Sequence, residues 1–165
     1  MIFLTVGTQF PFDRLVTAID RLFDTGAIHD EVFAQIGQSS YKPRHFPAVA
    51  SLEKEAFDDR FRRASAVISH AGMGAITMAL DHGKPLLVMP RRRDYREVVN
   101  DHQGALADKF EALGHILVAR DETQLRAQVQ QLKSFVPRPR KAEPEMVAGK
   151  IGQFLDILSR SRGIP

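Results

Sequence analysis

Short continuous apolar runs alternate along the chain with segments in which apolar residues recur every three or four positions. A continuous apolar run is typical of a strand buried on both faces of a parallel sheet, because neither face of such a strand meets water. The recurring pattern is typical of an amphipathic helix. The sequence predicts strands over residues 2–6, 31–37, 66–69, 85–90 and 115–119, with a further short apolar run at 48–52.

Six helices are predicted between and after these strands. They cover residues 11–23, 53–64, 74–82, 98–113, 121–133 and 145–159. Strands that alternate with helices indicate an α/β fold, here a single doubly wound, Rossmann-like domain with a mainly parallel sheet. We expect this domain over residues 1–135, a proline-rich basic linker over 136–144, and a last helix within 145–165 that packs on the domain or on a partner.

Composition narrows the classes of protein and site. The 165 residues, 44% of them hydrophobic and 26% charged, suit one globular domain with a sizeable core. The absence of cysteine excludes disulfides, thiolate metal sites and a cysteine nucleophile. A net charge of +3 suits anionic ligands without specifying nucleic acid. No apolar run approaches the ~20 residues of a membrane span, and the apolar N-terminus is too short for a signal peptide, so we expect a cytoplasmic protein.

Three strand-to-helix junctions carry the glycine and polar residues that could form a site. They are residues 7–9, 70–74 and 90–103. Right-handed crossover connections place all three at the same rim of a parallel sheet, where α/β proteins bind their ligands. The sequence therefore predicts a binding site assembled from these junctions.

The second junction is His70-Ala71-Gly72-Met73-Gly74. Glycine lets the backbone approach a ligand, and the free N–H groups of the following helix attract an anion such as phosphate. Glycine also suits any short turn before a helix, so the residues alone leave a plain turn as an equal alternative. His70 could donate a hydrogen bond to a phosphate or sugar oxygen, or simply pack in the turn. The missing third glycine argues against an NAD(P)-linked oxidoreductase.

The third junction is rich in charge. Arg91, Arg92 and Arg93 could hold a phosphate or a carboxylate, although a charge run is more often a solvated loop. The polar residues 101–103 that follow would suit a hydroxyl-rich ligand. No pair of histidines has the spacing of a metal site with a third ligand nearby, so no protein-held metal is predicted. Two tyrosines and no tryptophan argue against a nucleic-acid binder.

Three stretches together, residues 1–16, 69–91 and 100–110, resemble the C-terminal, donor-binding domain of GT-B glycosyltransferases of family 28. In particular they resemble the short stand-alone bacterial versions found in exopolysaccharide and capsule synthesis. Those versions are related to the donor subunit of the eukaryotic enzyme that adds the second N-acetylglucosamine to a dolichol-linked oligosaccharide. The order of motifs covers about residues 1–113, and the tail from residue 136 carries none of them.

The resemblance implies a UDP-sugar site and no cofactor. Two loops would face the diphosphate, and their residues are Gly7, Thr8, His70, Ala71, Gly72, Met73 and Gly74. His102 and Gln103 would face the donor sugar, with Asn100 and Asp101 shaping that turn. The uracil would lie near residues 49–52, held largely by backbone groups.

One position departs from the family pattern. Many relatives carry a glutamate that grips the ribose hydroxyls in the helix after the glycine loop, and the matching position here is Met78. Either another residue takes the ribose, or the ribose is held less tightly. The departure supports an alternative hypothesis, a non-catalytic nucleotide-sugar-binding module that regulates a partner.

The resemblance also implies that the chain is one half of an enzyme. A GT-B enzyme catalyses its reaction in the cleft between two domains. In the relatives, a membrane-anchored subunit supplies the other domain, which binds the acceptor and usually carries the catalytic base. We therefore expect the donor subunit of a two-component inverting glycosyltransferase that extends a polyprenyl-diphosphate-linked sugar. The partner would recruit it to the inner face of the cytoplasmic membrane, and the isolated chain could self-associate. The sugar stays open between glucuronate, which Arg91–Arg93 would suit, galactose and N-acetylglucosamine.

Overall fold

A computed structural model of the chain describes residues 1–99 and 102–139. The strands are β1 (Ile2–Thr5), β2 (Val32–Gln35), β3 (Ala48–Val49), β4 (Ala66–His70), β5 (Leu86–Met89) and β6 (Leu117–Val118). The helices are α1 (Asp13–Asp24), α2 (Lys54–Arg63), α3 (Met73–Asp81), α4 (His102–Ala112) and α5 (Glu122–Leu132). The end of the expected linker and the last predicted helix lie outside the described residues, so the predicted domain boundaries stay a prediction.

The six strands form one sheet in the order β3-β2-β1-β4-β5-β6, and every pair is parallel. This confirms the α/β, doubly wound prediction. The chain builds the sheet outward from β1 to β3 and then starts again on the other side of β1 with β4. The sheet order therefore reverses between β1 and β4, and α/β sheets bind ligands beside the carboxyl ends of the strands at such a point.

Helices cover both faces of the sheet, which is why its strands are apolar on both sides. Helices α1 and α5 bury Leu15, Ile19 and Leu125 against one face. The other face packs against α2, α3 and α4, where Phe3 of β1 meets the rings of Phe57 and Phe61 from α2 at 5.3 and 6.3 Å between centroids. The remaining apolar strand residues divide between these two cores by their alternation along each strand.

The predicted helix over residues 98–113 is wrong at its start, because 98 and 99 are not helical. Between β5 and α4 the chain forms a short 3₁₀ helix, Arg93–Tyr95, and then Arg96 takes a left-handed conformation with φ at +57°. That conformation ends the helical turn, and the buried Glu97 side chain draws the backbone inward. Val99 is left 73% exposed. Val99 therefore lies in a loop, although its apolar side chain fits the helical spacing.

Candidate functional site

The reversal between β1 and β4 opens a cavity of about 370 Å³ at the carboxyl ends of these strands. Ligand pockets in proteins commonly measure about 300–1,000 Å³, so the space suits a small molecule. We call it the β1–β4 cavity. Its lining residues are Thr5, Gly7, Thr8, Gln35, Phe57, Asp58, Ser69, His70, Gly74, Ala75 and Met78.

The first helical turn of α3 forms the anion-attracting side of this cavity. Helix α3 begins at Met73 after the N-cap residue Gly72, which has no side chain to accept a hydrogen bond from the first N–H groups. Gly74 lines the cavity, and a Cβ added there would meet no atom within 4 Å. The backbone N–H groups of this turn are therefore open to an anionic ligand, and the helix dipole favours one.

Two of the predicted site glycines make room for His70 itself. Gly7 has φ at +72°, and a Cβ there would lie 3.1 Å from His70 Cε1. A Cβ at Gly72 would overlap His70 Nε2. The imidazole thus lies between the two loops, and each loop needs glycine where it passes the ring. Of the three glycines, Gly74 is the one whose missing side chain leaves open space.

His70 is neutral at physiological pH. Burial, and to a smaller extent the nearby positive charge of Arg91, lower its pKa to about 4, although a hydrogen bond with the Thr5 backbone acts in the opposite direction. Ser69 Oγ donates to the Thr5 carbonyl oxygen at 2.8 Å and lies 3.3 Å from His70 Nδ1. Since the hydroxyl proton is used on Thr5, the hydrogen-bond network assigns the imidazole proton to Nδ1. His70 can therefore take part in polar contacts without bringing a charge to the cavity.

Arg91 points into the protein rather than toward the rim. Its guanidinium donates from Nη2 to the carbonyl oxygens of Val6 and Phe10 at 2.6 and 2.8 Å and lies over the ring of Phe12. Only 4% of the residue is exposed. Arg91 fastens the loop after β1 to the end of β5, so the anion contact predicted for it gains no support from these contacts.

The other two arginines of the run lie along the 3₁₀ turn. Arg92 donates to the Arg120 carbonyl oxygen at 2.9 Å, and its side chain is partly buried. Arg93 is exposed and also has an interaction partner. A second cavity of about 360 Å³ lies beside them, next to Gly104 and Arg120. The anion contacts of Arg92 and Arg93 stay a prediction.

A buried ion pair, which no local pattern in the chain predicts, also fastens this loop. The Glu97 carboxylate accepts from Arg14 Nε and Nη2, each at 2.8 Å, and from the Arg92 backbone N–H at 3.0 Å. Arg14 also donates to the Pro90 carbonyl oxygen at 3.0 Å. Burial alone would lower the pKa of Arg14, but the hydrogen bond and charge of Glu97 raise it above its usual value. The partners stand 83 positions apart in the chain, so no local pattern reveals the pair.

The remaining predicted residues are distributed unevenly. Gln103 accepts the Arg91 backbone N–H at 3.1 Å and so holds the loop, while His102 is exposed at the start of α4. Neither lines the β1–β4 cavity. Ala71 is buried in the second core, and Met73 is 50% exposed at the rim. The predicted contributions of Asn100 and Asp101 lie outside the described residues.

The backbone run 49–52, predicted to hold uracil, uses several of its groups internally. The carbonyl oxygens of Val49 and Ala50 accept from Ile36 and Gly37, and the Leu52 N–H donates to Gln35 Oε1 at 3.1 Å. None of residues 49–52 lines the cavity, whereas Gln35 does. The uracil position stays a prediction.

Seven lining residues were not predicted as site residues, and among them only Met78 was singled out in the sequence, as the departure from the family pattern: Thr5, Gln35, Phe57, Asp58, Ser69, Ala75 and Met78. Asp58 is the one carboxylate among the residues that line the β1–β4 cavity. Phe57 and Asp58 lie on α2, whose helical pattern predicts only which face is buried. A cavity between two helices depends on how they pack, which a single sequence does not state.

Within residues 1–99 and 102–139, no three histidine, aspartate or glutamate side chains come together as a metal site. Over the same residues, no helix is both long and apolar enough to cross a bilayer.

Comparisons with known proteins identify the family of this chain. Residues 1–158 match the family described as glycosyltransferase family 28 C-terminal domain. The chain is 31% identical over 124 residues to the human UDP-N-acetylglucosamine transferase subunit ALG13, covering 70% of this chain and 10% of the human one. It is 37% identical over 91 residues to the protein of the same name from Cryptococcus neoformans, covering 54% of this chain and 43% of that one. The chain thus spans less than half the length of these relatives.

Solved structures share the fold. An NMR structure of ALG13 superposes with a TM-score of 0.58 at 22% identity, over 87% of this chain and 91% of that one. The glycotransferase of kitacinnamycin gives a TM-score of 0.58 at 23% identity, over 81% of this chain and 34% of that one. The fold is thus that of GT-B glycosyltransferases, and the family match over most of the sequence decides membership. The chain belongs to glycosyltransferase family 28, as a C-terminal domain of that family.

Proposed function

We propose that this chain is the UDP-sugar-binding subunit of a two-component inverting glycosyltransferase. The observation that carries the proposal is the β1–β4 cavity, where the start of α3, which has no side-chain cap, meets the loop after β1. A nucleoside diphosphate matches this arrangement. Its phosphates suit the helix N-terminus, and its nucleoside suits the apolar side chains of Phe57 and Met78 that line the cavity.

The relatives support the choice of donor and of assembly. Two of them are named as a UDP-N-acetylglucosamine transferase subunit, so UDP-N-acetylglucosamine is the first donor to test. We infer a membrane-anchored partner subunit that binds the acceptor, a polyprenyl-diphosphate-linked sugar of exopolysaccharide or capsule synthesis. The partner would hold this chain at the inner face of the cytoplasmic membrane and supply the catalytic base.

In this reaction the donor-binding chain stabilises the leaving group. The acceptor hydroxyl oxygen forms a bond to the anomeric carbon from the face opposite UDP, and the bond from that carbon to the β-phosphate oxygen breaks. UDP leaves with the electron pair, and the hydroxyl proton passes to the base. The open N–H groups of α3 stabilise the negative charge that develops on the leaving diphosphate. No metal is required of this chain in the proposal.

Calorimetric titration tests the donor site. The purified chain is titrated with UDP, UDP-N-acetylglucosamine, UDP-galactose, UDP-glucuronate and NAD. We expect UDP and at least one UDP-sugar to bind and NAD not to bind. Binding of NAD in preference to UDP would contradict the proposal.

A second observation favours an alternative, a non-catalytic nucleotide-sugar-binding module that regulates a partner. Met78 lines the cavity at the position where many relatives carry a carboxylate, so the site departs from the family pattern. Sugar transfer separates the two functions. The chain is expressed with a tag in its own host, recovered with the membranes, and supplied with the radiolabelled donor that calorimetry selects. Transfer to lipid that Gly74→Asp abolishes supports catalysis, whereas donor binding with transfer unaffected by that substitution supports regulation.

A further inference from the structure

The β1–β4 cavity has one charged side chain, and it stands on the wall formed by α2. Asp58 lines the cavity together with Phe57 and with Met78 from α3. Its side chain is 33% exposed, so it is partly shielded from bulk solvent, and its place among the lining residues makes it accessible from the cavity. A carboxylate lining an otherwise uncharged pocket is positioned to bind a hydrogen-bond donor of the ligand.

The orientation of Asp58 is set by a neighbour on the same helix. Lys54 Nζ donates to Asp58 Oδ2 at 2.6 Å. A carboxylate has about four acceptor positions, so this contact leaves capacity for further donors. The Lys54 side chain is 87% exposed, and its ammonium group contributes the positive charge that keeps Asp58 from being an isolated anion near a phosphate ligand.

The cavity is polarised, and this limits which part of a ligand each end accepts. The start of α3 attracts negative charge, whereas Asp58 repels it and accepts donors. A nucleoside diphosphate therefore fits in one direction, with its phosphates at Gly74 and its neutral, hydroxyl-bearing part at Asp58. In nucleotides the group that offers two adjacent O–H donors beside the phosphates is the ribose, and acidic side chains bind ribose hydroxyls in other dinucleotide-binding α/β folds.

We propose that Asp58 binds the 2′- and 3′-hydroxyls of the ribose and makes the site selective for ribonucleotides. This inference rests on the proposed function. It assigns to α2 a contact that α3 cannot make here, because Met78 has no acceptor strong enough for a hydroxyl. Asp58 is a specificity-determining residue in this account and takes no part in bond breaking.

The test compares UDP with 2′-deoxy-UDP by calorimetry on the wild-type chain, on Asp58→Ala and on Asp59→Ala. Asp59 is the matched control, because it is the next residue on α2, pairs with Arg62 and Arg63 outside the cavity, and is not a lining residue. A hydrogen bond to a charged group predicts roughly tenfold tighter binding of UDP than of 2′-deoxy-UDP by the wild-type chain. We expect Asp58→Ala to reduce this ratio to below about twofold and Asp59→Ala to preserve it.

The outcomes separate the inference from the function on which it rests. If the wild-type chain binds UDP and 2′-deoxy-UDP equally, or if Asp58→Ala keeps the wild-type ratio, the role of Asp58 is refuted while the UDP site stands. If the wild-type chain binds neither UDP nor any UDP-sugar, both fail. Circular dichroism of the two variants checks that α2 remains folded, and the ratio of two ligands on one variant cancels any general loss of affinity.

Discussion

Two loops at the same rim of the sheet use their residues in opposite ways. The loop that leads into α3 is rich in glycine, has no side-chain cap and opens onto the β1–β4 cavity. The loop after β5 contains four arginines within six residues, yet Arg91 and Arg92 donate to backbone carbonyl oxygens and Glu97 is buried on Arg14. The cationic loop is thus fastened inward, while the uncharged loop presents bare N–H groups. We therefore propose that anion binding at this rim depends on backbone N–H groups rather than on arginine side chains.

The largest effect is a loss of stability, expected when the loop after β5 loses the carboxylate that fastens it. Replacing Glu97 by Ala leaves the Arg14 guanidinium and the Arg92 N–H without their carboxylate. Breaking such a buried pair costs about 3 kcal/mol of the free energy of unfolding. Urea unfolding of wild type and Glu97→Ala measures it. As a control, Asp59→Ala removes exposed pairs with Arg62 and Arg63 and should cost less than about 1 kcal/mol. Equal losses in the two variants would contradict the contrast.

The next effect is a dependence of stability on pH that His70 causes. The pKa of His70 is about 4 in the folded chain and 6.5 in its usual state, so the unfolded chain binds a proton that the folded chain does not. This contribution to stability is complete above pH 6.5 and is lost as the pH falls to 4, by about 3 kcal/mol in total. The difference between wild type and His70→Gln, measured by urea unfolding from pH 4 to 7.5, isolates it from the carboxylates. A difference that stays constant over this range would show that His70 titrates normally.

A third prediction contrasts ligand binding at the two loops. Gly74→Asp places a carboxylate at the start of α3, where space is open and a phosphate is expected. Repulsion of roughly 2 kcal/mol should weaken UDP binding about thirtyfold. Gly104→Asp makes the same change near the start of α4, also in open space but beside the arginine-rich loop. Calorimetry should find UDP affinity changed less than threefold there, and a larger loss at Gly104 than at Gly74 would reverse the assignment.

The smallest expected effect is a gain in the stability of the folded chain. Gly74→Ala adds a Cβ that meets no atom within 4 Å in a helix, so it should stabilise the chain by roughly 0.5–1 kcal/mol. The same change at Gly72 would press on His70 and should destabilise. Thermal unfolding of both variants distinguishes a glycine kept for packing from a glycine kept for binding. If Gly72→Ala also stabilises the chain, His70 does not occupy the place between the loops.

Much of the fold followed from patterns that a sequence displays directly. Continuous apolar runs predicted a parallel sheet, and the structure confirms it with all of the strands that were predicted and β3 within the short run at 48–52. Crossover handedness placed the junction loops at one rim, which is a consequence of topology and needs no side-chain detail. The start of the helix predicted over 98–113 failed because helical spacing does not report the left-handed turn at Arg96 or the inward pull of Glu97.

The candidate site was predictable in its backbone and less so in its side chains. The composition of the glycine loop made it predictable, but the packing of His70 against Gly7 joins residues more than 60 positions apart. Arg91 looked like a surface charge because sequence gives its type and not the two carbonyl oxygens it meets. Asp58 looked like one of many helix-surface carboxylates, since only the spacing of α2 and α3 brings it to the cavity.

An NMR titration of the ¹⁵N-labelled chain with UDP tests most directly which backbone groups bind the nucleotide. We predict that amide shifts concentrate at Gly7 and Thr8 and over the first turn of α3, Met73 to Ala75, with small changes over Arg91–Arg96. The amide shifts of the first α3 turn should follow the same binding curve as calorimetry. Shifts centred on the arginine-rich loop, with the α3 turn unchanged, would contradict the claim that backbone groups at the β1–β4 cavity bind the nucleotide.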